Sequence, residues 1–561
     1  MSFKRYKLYC LVPHIANLPR FMEEQLDECQ KKAVLSDIEK PLKVLAGPGS
    51  GKTRTMCERI RHMINNKNVS HDDIYVTTFT RDAVKEIKKR LMDQLSGVST
   101  IHGLCRYIIN KFQAEGSDIL SDEKGDDNIM KECCKFITTD ARNEIKFIEF
   151  NDENSLRDEV GKIILDFFEA FWRSKGAVQH MWTKKEDIYE KFTQYCSGNA
   201  KESTKKKIKK IVLDNTNDSV ETLYKHLCSK QMFEKNSRLI YSDEHVKTIA
   251  FSKLLPRALY VFEKSTDDEK KEKMKSKYYI VDEFQDTDYG QLELFKVLCS
   301  ESGRFTCVGD IDQSIYEFRG ANPIILHKGV DTIFNNMETI ILTSNYRSSK
   351  NIVNLTQVLI NNNEKNRRAQ YEVNPVRNAA EKKVDILETT SNMIEAKRIL
   401  HVIQETAKEQ NDWNHAVLFY KEKQCEFFRA YMKKTHLMYV NNQRIKNITC
   451  TTIHKAKGME WDCVYVGGID AEWIFGYNRD ERKELSHREI NKVEEKRRLF
   501  YVACTRAKSY LHISYYNIGN EVGNANVSNS CCFIDEIKAC KGEVINFMRI
   551  HDQDHTTGGQ N

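Results

Sequence analysis

Four short apolar runs in the first part of the chain each close on a polar or glycine-rich turn: Leu42–Ala46, Ile74–Phe79, Tyr278–Val281 and Phe305–Gly309. Unbroken apolar runs of this length suit parallel strands covered on both faces. The turns after them carry Gly, Thr, Asp and Gln, and in open α/β sheets ligands sit beyond the carboxyl ends of the strands. A second series follows at Ala416–Tyr420, Ile448–Thr452, Cys463–Val466 and Tyr510–Ser514, with helical periodicity over Glu395–Lys408 and Lys492–Thr505. Between Leu104 and about Ser242 the texture turns to Lys, Glu, Asp and Asn with helical patterns such as Val160–Trp172, which reads as a mainly helical insertion. The expected fold class is therefore α/β, with two parallel-sheet domains and a helical insertion in the first. The boundaries fall at residues 1–104 with 243–322, 105–242, 323–517, and a tail at 518–561. Gly and Asn enrich that tail, which is expected to be partly disordered.

At 561 residues the chain needs more than one core, and 40% hydrophobic residues suffice to build them. Nothing approaches the run of about 18 apolar residues that a membrane span needs. The apolar patch Leu8–Val12 is too short for a signal-peptide core. Seventeen cysteines are scattered, with adjacent pairs and no C-x-x-C spacing, so reduced thiols are expected rather than a zinc or iron–sulfur site. These features point to a reducing cytoplasmic or nuclear setting and leave a viral source open. The formal charge of +7 permits a nucleic-acid partner without requiring one. Lysine runs at Lys205–Lys210 and Lys270–Lys277 read as solvated faces.

The chemistry concentrates after the strands. Ala46-Gly47-Pro48-Gly49-Ser50-Gly51-Lys52-Thr53 follows one strand and opens a helix. Its glycines let backbone N–H groups close around phosphates, Lys52 can reach the β- and γ-phosphates, and the Thr53 hydroxyl can bind Mg²⁺. Ala46 stands where the strict pattern has glycine. Tyr278-Tyr-Ile-Val-Asp-Glu-Phe-Gln-Asp-Thr287 delivers Asp282 and Glu283 at a strand end. Asp282 can hold Mg²⁺, and Glu283 can polarise the attacking water.

With these residues in place, VDEFQDT resembles the second motif of the UvrD, Rep and PcrA helicases of superfamily 1, and further motifs follow in that family's order. The resemblance implies two RecA-like motor domains with a 1B-like insertion, fuelled by ATP and Mg²⁺. It implies single-stranded and tailed double-stranded DNA as partners, with travel from 3′ to 5′. Gln30 is similar to the adenine-reading glutamine, and Arg54 extends the nucleotide set. Thr78, Phe79, Thr100 and His102 resemble strand-contacting positions. In Val308–Ala321, Gln313 resembles the γ-phosphate sensor, while Tyr316, Phe318 and Arg319 face bases. Tyr346 is expected against adenine, Arg347 and Arg506 on the γ-phosphate, Glu460 toward the nucleotide and His454 toward DNA. Base stacking on an aromatic face, worth about 1–3 kcal/mol, tolerates any sequence.

One departure is visible. Family members carry a 2B subdomain before the fifth motif, whereas here only Asn441–Asn447 separates a strand at Leu437–Val440 from it. Strand-separating power is the part of the resemblance that this touches, and a translocase that displaces proteins with little unwinding is the alternative. A nuclease constellation after the sixth motif is not found. A P-loop kinase would need a single α/β domain with a substrate lid, against which the second set of motifs argues.

Overall fold

A computed structural model describes residues 25–113, 120–121, 133–134, 153–174, 185–198, 200–210, 217–237, 240, 248–249, 251–334, 336–364, 371–377, 382–435, 439–440, 443–445, 448–469, 487–516, 532–540 and 544–549. Two six-stranded sheets organise them. The first runs, edge to edge, Val98–Thr100, Ile74–Thr78, Tyr278–Val281, Phe305–Gly309, Leu42–Ala46 and Glu338–Leu342, and every pairing is parallel. The second runs Ile448–Thr452, His415–Phe419, Trp461–Ile469, Ala507–Tyr516, Val384–Thr389 and Ile545–Arg549, again wholly parallel.

The apolar runs explain this arrangement: Leu42–Ala46, Tyr278–Val281, Phe305–Gly309 and His415–Phe419 are buried at every position. Strands covered on both faces gain from uniformly apolar side chains, and each sheet has one core cluster on either face. One of these clusters continues from the first sheet into the helices Glu153–Trp172, Lys185–Ser197 and Lys230–Ser237. There Phe167, Phe168, Phe171, Trp172, Phe192 and Phe233 pack ring on ring, so the helical segment and the sheet share one apolar interior. Among the described residues no helix is long and apolar enough to cross a membrane.

Three expectations need correction. The boundary expected at 322 falls too early, because Glu338–Leu342 pairs along Leu42–Ala46 and completes the first sheet. The run ETIIL carries no mark of which sheet it joins. The boundary expected at 517 also falls too early: Cys532–Lys538 is a helix packed on the second unit's core, and Ile545–Arg549 is the edge strand beside Val384–Thr389. The strand expected to end at Phe79 ends at Thr78, which leaves the Phe79 ring in the turn. The strand expected at Leu437–Val440 lies partly outside the described residues. What is described is a backbone hairpin in which Tyr439–Val440 pairs antiparallel with Gln443–Arg444.

Candidate active site

The phosphate loop leaves the central strand Leu42–Ala46 and runs into the helix Lys52–Asn65. Gly49 and Gly51 hold φ of +73° and +79°, a region open to glycine and strained for other residues. Space is as restrictive as conformation. A Cβ at Gly49 would lie 2.6 Å from Arg347 Cβ, and one at Gly51 would lie 2.8 Å from Gln30 Nε2. The loop therefore touches the helix before it and a residue that follows the first sheet's last strand.

Lys52 lies 3.4 Å from Glu283 Oε1, and its buried ammonium has no closer acceptor within hydrogen-bonding geometry. Burial works against its charge, but Glu283, Asp310 and Asp282 outweigh burial and hold it above its ordinary value. Asp282 is pushed up to about 7 by burial and by adjacent Glu283. Glu283 goes the other way, to about 2, because Lys52 and Lys457 overcome its burial. Its backbone has φ 54° and ψ 41°, a left-handed conformation for a non-glycine residue. The Asp282 carboxylate, short of compensating cations, and the Thr53 hydroxyl on the cleft wall are hard oxygen donors that fit Mg²⁺.

Residues from past the first sheet close the cleft. Asn345 donates from Nδ2 to Pro48 O at 2.8 Å, and its Oδ1 accepts from the backbone of Arg347 and Ser348. The Arg347 guanidinium pairs with Glu460 at 2.7 Å, and Glu460 also takes Lys508 at 2.9 Å. Arg506 is buried and donates to Gln313 Oε1 at 2.9 Å, while Gln313 donates to Asp310 at 2.6 Å. Burial, and then the like charge of Arg347, press the Arg506 guanidinium below its ordinary value. The buried Arg506 guanidinium, which hydrogen-bonds neutral oxygens only and is crowded by Arg347, shares with Lys52 a cleft of ≈ 830 Å³ that is short of an anion. Gly47, Pro48, Ser50, Arg54 and Tyr346 also line it, and a triphosphate fits that donor set.

Tyr346 lines the cleft, while Gln30 lies buried behind the loop. Gln30 accepts from Asp27 N at 3.1 Å and donates to Ser50 O at 2.9 Å, so its amide ties the loop to the N-terminus of the helix Glu28–Leu35. Tyr346 is 45% exposed, and its hydroxyl donates to Asp27 Oδ2 at 2.6 Å.

A second cluster adjoins the first. Phe79 stacks on Tyr316 with centroids 5.1 Å apart, and Phe318, 64% exposed, meets His454 at 5.7 Å. Arg319 lies over both the Tyr316 and Phe318 rings. Burial pushes His454 down to about 4, aided by Lys496, Arg319 and Lys457, so the ring is neutral near pH 7. Thr78, Thr100 and His102 are placed differently from those rings. Thr78 is buried at the strand end. Thr100 caps the helix Ile101–Phe112 by accepting from Gly103 N at 3.2 Å. His102 lines a small pocket with Trp172, Arg173 and Asp288.

Sequence reasoning missed three groups at this site. Lys457 donates to Asp286 at 2.5 Å and to Gln313 O at 2.9 Å, and lies 3.9 Å from Glu283. Arg377 holds Arg347 O at 2.8 Å and Ser509 Oγ at 3.0 Å. Arg173 donates to Arg319 O at 2.7 Å from the end of the helical segment. Lys457 stands inside a recognised motif and was open to inference; Arg377 and Arg173 carry no local signal.

A phosphate loop and paired carboxylates on one parallel sheet, faced by cations from a second, define a nucleotide-binding chain of two α/β units. The UvrD/REP helicase N-terminal domain model matches residues 26–333, and the UvrD-like helicase C-terminal domain model matches 340–446 and 439–518. The chain belongs to the UvrD/Rep helicase family. It is 28% identical over 404 residues to a probable DNA helicase II homolog of Mycoplasma capricolum, covering 70% of this chain and 48% of that protein. It is 29% identical over 340 residues to ATP-dependent DNA helicase Rep of Buchnera aphidicola, covering 60% and 43%. Against ATP-dependent DNA helicase SRS2 of Saccharomyces cerevisiae, identity is 28% over 375 residues, covering 62% and 28%. The chain thus spans about half or less of the length of these relatives. The two C-terminal matches meet at residues 439–446, where the Tyr439–Arg444 hairpin lies.

Proposed function

We propose that the chain is an ATP-driven motor on single-stranded DNA, whose two sheet units close on ATP and part after hydrolysis. The observation that carries this reading is the seam: Arg347 and Arg506 come from one side and Lys52, Asp282 and Glu283 from the other. In this reading Lys52 and the loop amides of Gly47–Thr53 bind the phosphates, and Thr53 and Asp282 would hold Mg²⁺, whose charge would offset that on the phosphates. Glu283 orients the attacking water, and the crowded cations Arg347 and Arg506 gain a counter-charge on the γ-phosphate, signalled through Gln313. An arginine supplied across such a cleft is worth about 10³–10⁵ in rate. Tyr346 and Gln30 bound the base, and Glu460 the sugar side. The Phe79, Tyr316 and Phe318 rings, with Arg319 and His454, grip bases without reading sequence. Thr78, Thr100 and His102 support that floor. Resemblance to the UvrD and Rep helicases favours travel from 3′ to 5′.

Hydrolysis of ATP should be stimulated by single-stranded DNA and abolished by Lys52→Ala. Duplexes with a 3′ tail should be opened in preference to those with a 5′ tail. Turnover indifferent to DNA sinks the proposal. The direct pairing of Tyr439–Val440 with Gln443–Arg444 favours a second reading, in which the motor strips proteins from DNA and unwinds poorly. Displacement of streptavidin from a biotinylated strand without duplex opening would select it.

A further inference from the structure

The geometry points to Arg498 as a positioning residue that ties the base-stacking turn of the first unit to the helix leading into Arg506, an inference that rests on the motor reading above. Arg498 lies in the helix His487–Cys504 of the second unit and is 5% exposed. Its Nε donates to Ser314 O at 2.8 Å, and its Nη2 pairs with the Glu317 carboxylate. Both partners belong to the turn after the first unit's strand Phe305–Gly309. Between them sits Tyr316, whose ring stacks on Phe79; after them come Phe318 and Arg319. Arg506, two residues past the end of the same helix, donates to Gln313. Two arginines of one segment therefore hold neighbouring residues, Gln313 and Ser314, of one turn.

The turn is fixed on its other side as well, since Ser314 Oγ donates to Gln285 O at 3.1 Å. The Glu495 carboxyl, on the same helix, is pushed up to about 6 by burial and by Glu317. Arg498 is thus the cation that holds Glu317 against a carboxyl neighbour. A helix is stiff over this length, so a shift of Arg506 toward a phosphate carries Arg498, and with it the Tyr316 ring, in the same movement. Strand grip and nucleotide state then change together.

Three variants test this: Arg498→Gln, Arg498→Lys and Glu317→Gln, each compared with wild type. The readouts are ATP turnover without DNA, turnover with saturating oligo-dT, and the fluorescence of a 2-aminopurine strand on binding. Arg498→Gln should keep strand-free turnover and lose about tenfold of the stimulation, the range of an ordinary coupling energy. Its strand should show weaker fluorescence quenching, because Tyr316 is no longer held. Arg498→Lys should recover part of both, and Glu317→Gln should fall between. Wild-type stimulation in Arg498→Gln, proportionate loss of strand-free and stimulated turnover, or a lysine variant no better than glutamine overturns the assignment. Should Arg498→Gln fail to fold, full stimulation in Glu317→Gln overturns it. A wild-type enzyme that DNA does not stimulate overturns the motor reading and this inference with it.

Discussion

Glu283 occupies backbone space that side chains avoid, and such a residue costs about 1–3 kcal/mol unless its surroundings impose it. The surroundings here are the Lys52 and Lys457 ammonium groups and the Gln285 amide, all on its carboxylate. Glu283→Gln should keep the fold and bind nucleotide while hydrolysis ceases, as equilibrium binding of a fluorescent ATP analogue beside a phosphate-release assay will show. His512 offers a test of stability rather than chemistry. It is buried in Ala507–Tyr516, and neither ring nitrogen has a hydrogen-bond partner. Burial lowers it to about 4, with Asp385 opposing and Arg398 assisting. The unfolded imidazole takes a proton near pH 6.5 and the folded one only near 4, so its contribution is present above 6.5 and is lost as pH falls toward 4. The melting temperature of wild type should therefore drop more across that window than that of His512→Leu. Equal slopes would refute the assignment. At this scale the residue types of the motifs were legible but their distant partners were not. Lys52, Asp282, Arg347 and Arg506 line one cleft, whereas Lys457, Arg173, Arg377 and Arg498 act through partners far along the chain, which no local pattern encodes.

Among the elements, the helix His487–Cys504 is anchored from behind by the C-terminal helix Cys532–Lys538. Arg497 is wholly buried, forks onto Glu536 at 2.7 and 2.8 Å, donates to Asn363 at 2.6 Å and lies over the Phe533 ring. Breaking one partner of such a pair leaves an uncompensated buried charge and costs about 3–5 kcal/mol. Glu536→Ala should lower the denaturation midpoint accordingly, while Arg497→Met with Glu536→Leu should restore much of it. A single variant as stable as wild type would show that the pair contributes nothing. Strands were the most readable elements, because continuous apolar runs admit few other environments. Those that escaped, Val98–Thr100, Glu338–Leu342, Val384–Thr389 and Ile545–Arg549, include three of the four sheet-edge strands, and Ile448–Thr452 is the edge strand that was read. Edge positions relax the demand for uniform apolarity that made the inner strands stand out.

For the molecule as a whole, the seam is polar. Asn345 on Pro48, Lys457 on Asp286, Arg498 on Ser314 and Arg506 on Gln313 span it. Charged contacts of this kind tighten with an anion between them and weaken with salt. The logarithm of strand affinity should fall linearly with the logarithm of salt concentration, because phosphate contacts release counterions. A flat response in a fluorescence-anisotropy titration would remove DNA as the partner. Glu283→Gln with ATP and Mg²⁺ should bring donor and acceptor dyes on the two units closer, and an unchanged transfer efficiency would contradict closure.

The first sheet is completed by Glu338–Leu342, and the described strands from Val384 onward belong to the second sheet or to the separate Tyr439–Val440 and Gln443–Arg444 pair, so the described backbone passes between the two six-stranded sheets once. Under an opposing load, that passage of backbone and the polar contacts across the seam would bear the tension between the halves. Such a machine stalls by being prised apart. Its stall force in an optical trap should then track ionic strength more steeply than its unloaded speed does.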